Sequence, residues 1–547
     1  MRGNFNHTGR LVRFMLKRES IISTMWIAVL VLFSAALAPG LGGMFDDASR
    51  AIFAATFDNP VMIAMMGPVY GAGNYTAGAM YTGMMLLWII IGVAVMNVFL
   101  VARHTRADEE KGRIEVVRSL PAGRLATLNA AMVTAVLVNA AMGLLMGLGL
   151  AVMGVENMGW DGSMLYGAAV FASGLVFAAV TALFCQLSAS GSGAKGYSFL
   201  ALGVFYMLRA AGDMQGNEIL SCVSPLGLAL RAQAYIENRW WPVLVLLLEF
   251  IMITAVAYWL NSIRDLDQGF IHARPGKKEA SFLLRSPFGL AWRLLGKTIY
   301  IWLIIMFILG ASYASVIGDI NTFVGDSPQY LEILGMPAEY VATLSDAAKE
   351  AMVQKYFMSF VASMMALICI VPLLNVALKP RSEEKEDRAE HVLARVVPRT
   401  KYLAGYTALA YAASVLIQFA TVIGIYSAAV PLMGEANPFP IRELLKANLA
   451  YLPALWVMIG AAVLLTGLLP KASGVVWGYY GFVCFASFMG EVIGLPDWLL
   501  RIAPLKNVSQ VLLVDLDFIP LIVMTGIAVM FTTVGFSFYR KRDLVAA

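Results

Sequence analysis

The stretch Arg103-His-Thr-Arg-Ala-Asp-Glu-Glu-Lys-Gly-Arg-Ile-Glu115 decides the reading of this chain, because it occurs twice. It follows one long apolar run, and Arg381-Ser-Glu-Glu-Lys-Glu-Asp-Arg-Ala-Glu390 follows another. Arg113 and Arg388, Glu115 and Glu390, and Arg124 and Arg399 are related by one offset (388 − 113 = 275). Asp108, Glu109, Glu110 and Glu115 recur in kind as Glu383, Glu384, Glu386 and Glu390. Glu109 and Arg113 stand i, i+4, as do Glu384 and Arg388, which supports a helix in each loop. Ile114 and Val117 give the first helix an apolar strip, Val392 and Val396 the second, and Pro121 and Pro398 end them. Membrane topology alone demands net positive charge in such a loop. Acids at matched places in both copies point to a complementary protein surface that docks there.

Around these loops the chain is oily. Of its 547 residues 60% are hydrophobic and 14% charged, with a mean hydropathy of +0.74. A soluble domain needs far more polar surface, so the fold class is an all-α polytopic membrane protein. The net charge of +5 sits in a few loops, without the basic, aromatic-interleaved face that nucleic-acid binding requires. Cys185, Cys222, Cys369 and Cys484 lie too far apart in sequence to read as a metal site or a disulfide framework.

About 20 apolar residues cross a bilayer. Hydropathy and loop charge together predict about twelve spans. The first six are Ile21–Ala38, Thr82–Ala102, Ala126–Met153, Met164–Leu187, Tyr197–Ala211 and Trp241–Leu260. The second six are Thr298–Ile317, Tyr356–Leu378, Tyr402–Met433, Ala447–Leu468, Val475–Ile493 and Phe518–Phe538. The expected organisation is one six-span half over 1–263, a linker and interfacial helix over 264–297, and a second half over 298–547. Basic residues before the first span resemble a secretory leader, and Ala36-Leu-Ala38 its cleavage site. The length of the run and its mid-chain counterpart predict a retained span instead.

Positive residues at 2–18, 103–124, 264–297 and 540–542 fall on one side, so both termini are expected in the cytoplasm. Asp46, Asp47 and Asp58, and then Asp319, Asp326, Glu332, Glu339 and Asp346, fall on the other. Gly9, Arg13 and Lys17 match Gly289, Arg293 and Lys297 at one offset (289 − 9 = 280). Both stretches read as amphipathic helices in the membrane interface. The halves form a tandem 6+6 repeat of parallel topology.

The sequence resembles the permease subunits of bacterial ATP-binding-cassette (ABC) exporters, in the group with the polyketide-antibiotic exporters. Three features carry the resemblance: Arg106-Ala-Asp-Glu-Glu-Lys-Gly-Arg-Ile-Glu115, Ser224-Pro-Leu-Gly227 continuing to Glu237-Asn-Arg-Trp-Trp-Pro242, and the six-plus-six arrangement. The second half lacks a Gly at the position of Gly112, and it lacks the Trp-Trp-Pro. The resemblance implies the fold of a type-2 ABC exporter permease, with two copies of a separate nucleotide-binding ATPase docked on the loops between spans two and three. It places Asp108, Glu109, Glu110, Gly112, Arg113, Glu115 and Arg118 at one coupling helix, and Glu383, Glu384, Arg388 and Glu390 at the other. It also implies alternating access driven by ATP.

The chain itself carries no ATPase motif. A phosphate-binding loop needs G-x-x-x-x-G-K-[ST]. Gly296-Lys-Thr298 has the tail, but Ala291 stands where the first Gly must be, and Gly191-Ser-Gly-Ala-Lys-Gly196 lacks the order. No cofactor is therefore expected on this chain, with ATP and Mg on the partner. Glu249 is the clear intramembrane charge. It reads as a proton relay or cation contact, or as an interior Glu held by a neighbouring helix or by Arg209. In the family, spans two and five of each half border the central pathway. Met85, Trp88, Met96, Phe205, Tyr206, Phe357, Phe360, Met364, Trp477 and Tyr480 are the candidates there, against a plain packing or lipid-facing role. The segments 213–239 and 491–517 are too polar to span and are expected to hold short helices at the outer surface.

The sequence therefore predicts the transmembrane subunit of an ATP-driven exporter of hydrophobic or amphipathic, antibiotic- or drug-like molecules. It would sit in the bacterial cytoplasmic membrane among lipid, and would itself be no enzyme. Two other readings stand beside it. One is a proton-coupled drug exporter of the major facilitator type, whose loop pattern Asp108 and Gly112-Arg113 fit while His104 occupies a required Gly. The other is a membrane scaffold or sensor without transport.

Overall fold

The computed structural model describes residues 2–542 apart from 45–46, 59, 120, 266–267, 272–278, 280, 316, 318–345, 396, 434–438, 489 and 491–494. The long acidic outer loop of the second half, with Asp319, Asp326, Glu332 and Glu339, lies outside the described residues, as do Asp46 and Val396. Apart from one isolated bridge between Ser188 and Ile271, the regular elements described are helices. Helices satisfy their own backbone within one segment, which hydrocarbon surroundings demand. Two compact units emerge, Met1–Pro275 and Gly276–Ala547.

In the first unit the main helices are α1 (Thr8–Met44), α2 (Ala77–His104), α3 (Arg106–Glu110), α4 (Arg113–Arg118), α5 (Ala126–Val152), α6 (Trp160–Leu187), α7 (Gly191–Met214) and α8 (Trp241–Ile263). α6 is central, packed by α2, α5 and α8, while α1 lies on α5. The crossing of α5 and α6 rests on small residues. A Cβ at Gly143 would stand 2.5 Å from the Gly167 carbonyl oxygen, and one at Gly147 3.0 Å from that of Ser163. Such spacing lets two backbones approach where lipid offers no hydrophobic drive. Beside this crossing, Asn97 and Asn139 exchange side-chain hydrogen bonds of 3.0 and 2.8 Å between α2 and α5, fully buried.

The second unit repeats this plan with α9 (Pro287–Ser315), α10 (Asp346–Ala377), α11 (Lys379–Lys385), α12 (Arg388–Leu393), α13 (Arg399–Met433), α14 (Ile441–Leu449), α15 (Leu452–Leu468), α16 (Val475–Phe488) and α17 (Phe518–Lys541). First packs on third in both units (α1 on α5, α9 on α13), and fourth on sixth (α6 on α8, α15 on α17).

On two points the structure differs in detail from the expectation. Ten helices among the described residues are long and apolar enough to cross a membrane, against twelve spans read from the sequence. The difference falls on the fifth element of each half. α7 has the length but carries Lys195, Arg209 and Asp213, and α16 is apolar but only 14 residues long. The interfacial stretches 9–17 and 289–297 are not separate helices either. Each continues without a break into the apolar run, inside α1 and α9. No helix-breaking residue interrupts the chain between them. The segment after α7 does form short helices, Glu218–Cys222 and Pro225–Leu230, and its counterpart forms Asp497–Leu500 and a 3-10 turn at Pro504–Asn507.

The charged loops fold as elbows. Thr105 (φ −115°, ψ −95°) ends α2, and its hydroxyl donates back to the Val101 carbonyl at 2.6 Å. One short helix follows, then Gly112 at φ 68°, then a second short helix. The second elbow is built alike, with Asp387 at φ 57° in the place of Gly112. Left-handed backbone costs a side-chain-bearing residue roughly 1 kcal/mol, and Asp tolerates it better than most. A Cβ on Gly112 would meet nothing within 4 Å, so backbone conformation alone decides its substitution. Gly112→Ala should lower the thermal midpoint of the purified protein, and Asp387→Gly should raise it, each by the equivalent of about 1 kcal/mol. Equal midpoints for all three proteins would contradict this account.

Candidate functional site

The elbow acids turn inward. Asp108 accepts from both terminal nitrogens of Arg18 on α1 (2.6 and 3.1 Å) and from Arg113 (2.9 Å). Glu109 lies between Arg106 at 3.0 Å and Arg264 at 2.7 Å, and all three side chains are at most 7% exposed. Glu110 is exposed, yet its Oε2 accepts from the Gly191 amide at 2.9 Å and so holds the start of α7. In the second unit Glu383 pairs with Lys379 at 2.8 Å and Arg388 at 2.9 Å. Glu384 lies 3.5 Å from Arg381 and 2.6 Å from Arg542.

These are the same bonds made twice. Arg106, Glu109 and Arg113 become Arg381, Glu384 and Arg388, 275 positions on. Arg264 and Arg542 cap the C-termini of the last helices, α8 and α17, through their own amides. Arg124 donates to the Arg264 carbonyl at 2.9 Å, and Arg399 to that of Arg542 at 2.6 Å. Arg106 also donates to the Ala189 carbonyl beyond α6, and Arg381 to the Pro470 carbonyl beyond α15 (2.7 and 3.0 Å). One buried carboxylate thus gathers the ends of the second, fourth and sixth membrane helices of its unit.

This corrects the expected i, i+4 pairs. Arg113 bonds Asp108, and Arg388 bonds Glu383, one residue further back. The left-handed residue between the short helices breaks the helical register, so Glu109 and Glu384 are free to reach the last helix. The acids read as a docking surface divide accordingly. Asp108, Glu109, Glu383 and Glu384 are internal, while Glu115, Val116, Arg113, Arg388 and Glu390 are exposed. Arg118 closes α4, and its side chain lies outside the described residues. Sequence reasoning missed Arg264 and Arg542 as partners. The signal available was their position directly after the sixth span of each half.

The aromatic and methionine candidates are divided between the two units. Trp88 is exposed, and Met85, Phe205, Phe357, Phe360 and Met364 are half-buried. Tyr206 donates to the Met65 carbonyl at 3.2 Å and lies under Arg209. Trp477 meets Tyr480 edge to face, and Tyr480 donates to the Leu367 carbonyl at 3.3 Å. Met96 lines a crevice of about 410 Å³ in the first unit. Arg209 is not the partner of Glu249. It pairs with Asp213 at 3.3 Å and donates to the carbonyls of Ile63 and Ala64. Glu249 keeps a buried Oε2 without a hydrogen-bond partner among the described residues.

Comparison with known proteins agrees with this architecture. The family described as multidrug efflux system permease Rv1217c, C-terminal domain, matches residues 12–260 and 284–540. The multidrug efflux system permease protein Rv1217c of Mycobacterium tuberculosis is 31% identical over 544 residues, which cover 99% of this chain and 96% of that protein. The chain belongs to this family of multidrug efflux system permeases.

Proposed function

We propose that this protein is the membrane subunit of a drug exporter, in which two six-span halves are driven by two copies of a separate ATPase docked on the elbows. The substrate class is hydrophobic or amphipathic small molecules, in keeping with the relative's description as a multidrug efflux permease. ATP and Mg would belong to the partner. The basic ends of the helices, with both termini, would face the cytoplasm. The polyketide-antibiotic exporter group remains the resemblance that supplies this mechanism.

The observation that carries the reading is the duplicated buried bridge, Glu109 to Arg264 and Glu384 to Arg542. A partner would press on the exposed faces, where Glu115, Val116 and Glu390 stand. The elbow cannot shift alone, because separating a buried carboxylate from its guanidinium costs several kcal/mol. Displacement therefore passes to the last helix of each half, and through Arg106 and Arg381 to the chain beyond the fourth. Two elbows pushed by closure of an ATPase dimer would rock both halves, which is the motion alternating access requires.

Two experiments on the full chain, co-purified with candidate ATPases, test this. Glu115→Lys with Glu390→Lys should cut drug-stimulated ATP hydrolysis at least tenfold, while the midpoint stays within the small range expected of surface changes, about 0.5 kcal/mol. Arg264→Ala alone should destabilise by about 1–3 kcal/mol, since it removes one of the buried partners of Glu109 and leaves Arg106 to hold it. Arg264→Met combined with Glu109→Gln should recover part of that stability, with Arg106 keeping the Ala189 carbonyl, but not drug efflux. Wild-type efflux in the double variant would reduce the bridge to a structural role. Efflux that needs no nucleotide, follows a pH gradient and is lost in Glu249→Gln would replace the ATP-driven reading with the proton-coupled one.

A further inference from the structure

The 410 Å³ crevice in the first unit lies between α1, α2, the first elbow and α7. Its apolar wall is Ile22 and Trp26 of α1 with Phe99 of α2. Ile22 and Phe99 are 40% and 47% exposed, so the wall is an open apolar surface within the long apolar runs of α1 and α2. Its other end is charged. Glu19 and Arg103 neutralise each other at 2.9 Å. Lys111 and Lys195 remain, with no carboxylate partner among the described residues; Lys195 stands 5.9 Å from the Phe99 ring centroid. The hydroxyl of Ser23, buried and without a hydrogen-bond partner among the described residues, also borders the crevice.

Two surplus cations at the end of the apolar runs, an orphaned hydroxyl and an exposed apolar wall fit one kind of molecule. We propose that this crevice is a specific site for one anionic phospholipid of the leaflet on the elbow side. The headgroup phosphate lies between Lys111 and Lys195, Ser23 donates to a headgroup or glycerol oxygen, and an acyl chain runs along Ile22, Trp26 and Phe99. A free anion has no use for that wall, and an uncharged drug has none for the two lysines.

The repeat supplies an independent argument. In the second half the positions of Glu19, Arg103, Lys111 and Lys195 hold Ile299, Leu378, Glu386 and Val476. The bridges to the last helix survive duplication, and this charge pattern does not. The Glu19–Arg103 pair belongs to the first elbow, but among the described residues Lys111 and Lys195 make no ion pair that the elbow uses, so they answer to a ligand bound once per chain. The site stands whether or not an ATPase drives the protein.

The test is native mass spectrometry of the full-length protein titrated with phosphatidylglycerol or phosphatidylcholine. One phosphatidylglycerol should be retained per chain, and phosphatidylcholine should bind at least tenfold more weakly. Lys111→Gln with Lys195→Gln should weaken phosphatidylglycerol roughly thirtyfold, at about fivefold per lysine near an anionic lipid surface. Both lysines are outside the buried core, and each single variant, expected to lose about fivefold, serves if the double one misfolds. Equal retention of the two lipids, or undiminished retention by the variants, overturns the proposal. So does stoichiometric displacement by a transported drug, which would make the crevice a substrate port, or displacement by millimolar inorganic phosphate.

Discussion

A carboxylate buried at the edge of a membrane must be paired, because isolated charge in such surroundings is prohibitive. Glu109 and Glu384 meet that demand with arginines drawn from distant parts of the chain. Arg264 lies 155 positions after Glu109, and Arg542 lies 158 after Glu384. The constraint gives the helix ends their arrangement on the elbow side. Arg264 and Arg542 must stand where the last helices stop, and Arg106 and Arg381 must lie where their second donors meet carbonyls beyond the fourth helices. Four charged residues per unit therefore define a rigid floor beneath an otherwise apolar bundle. Above it, packing is set by contact of small residues and by the Asn97–Asn139 exchange, neither of which favours one end of the bundle for a partner.

The membrane fold was legible because hydropathy reports directly on the solvent. The duplication was legible because charges at a fixed offset stand out against apolar background. The pairing was not. Reading Glu109 with Arg113 assumes one uninterrupted helix, and Gly112, the residue that interrupts it, was noted only as a family feature. The second elbow shows why: Asp387 adopts the same left-handed backbone, so the turn persists where the glycine signal is gone. Arg209 was given the wrong carboxylate for a related reason. A cation in a span invites a carboxylate on the next helix, yet this one is satisfied by Asp213 one turn away and by carbonyls of the outer helix Pro60–Met66. The fifth elements were read as spans, and each departs from the ordinary span on a different count, α7 by polarity and α16 by length.

The two elbows share their link to the last helix but not their link to the first. Arg18 reaches Asp108 from α1, and next to it Glu19 meets Arg103 at 2.9 Å and His104 at 3.0 Å. In the second half the counterparts of Arg18 and Glu19 are Thr298 and Ile299, which carry no charge. Glu383 is served instead by Lys379, four residues back in its own short helix and standing at the position of His104. The first elbow is thus clamped to both the first and last helices of its unit, whereas the ion pairs described for the second run to the last helix and within the elbow. A displacement delivered to α3 moves α1 directly through a bidentate arginine. Among the described residues α11 makes no such ion pair to α9 and packs instead on α10 and α13. Under the proposed coupling, a push on both elbows would move the two halves unequally, with α1 as the helix that distinguishes them.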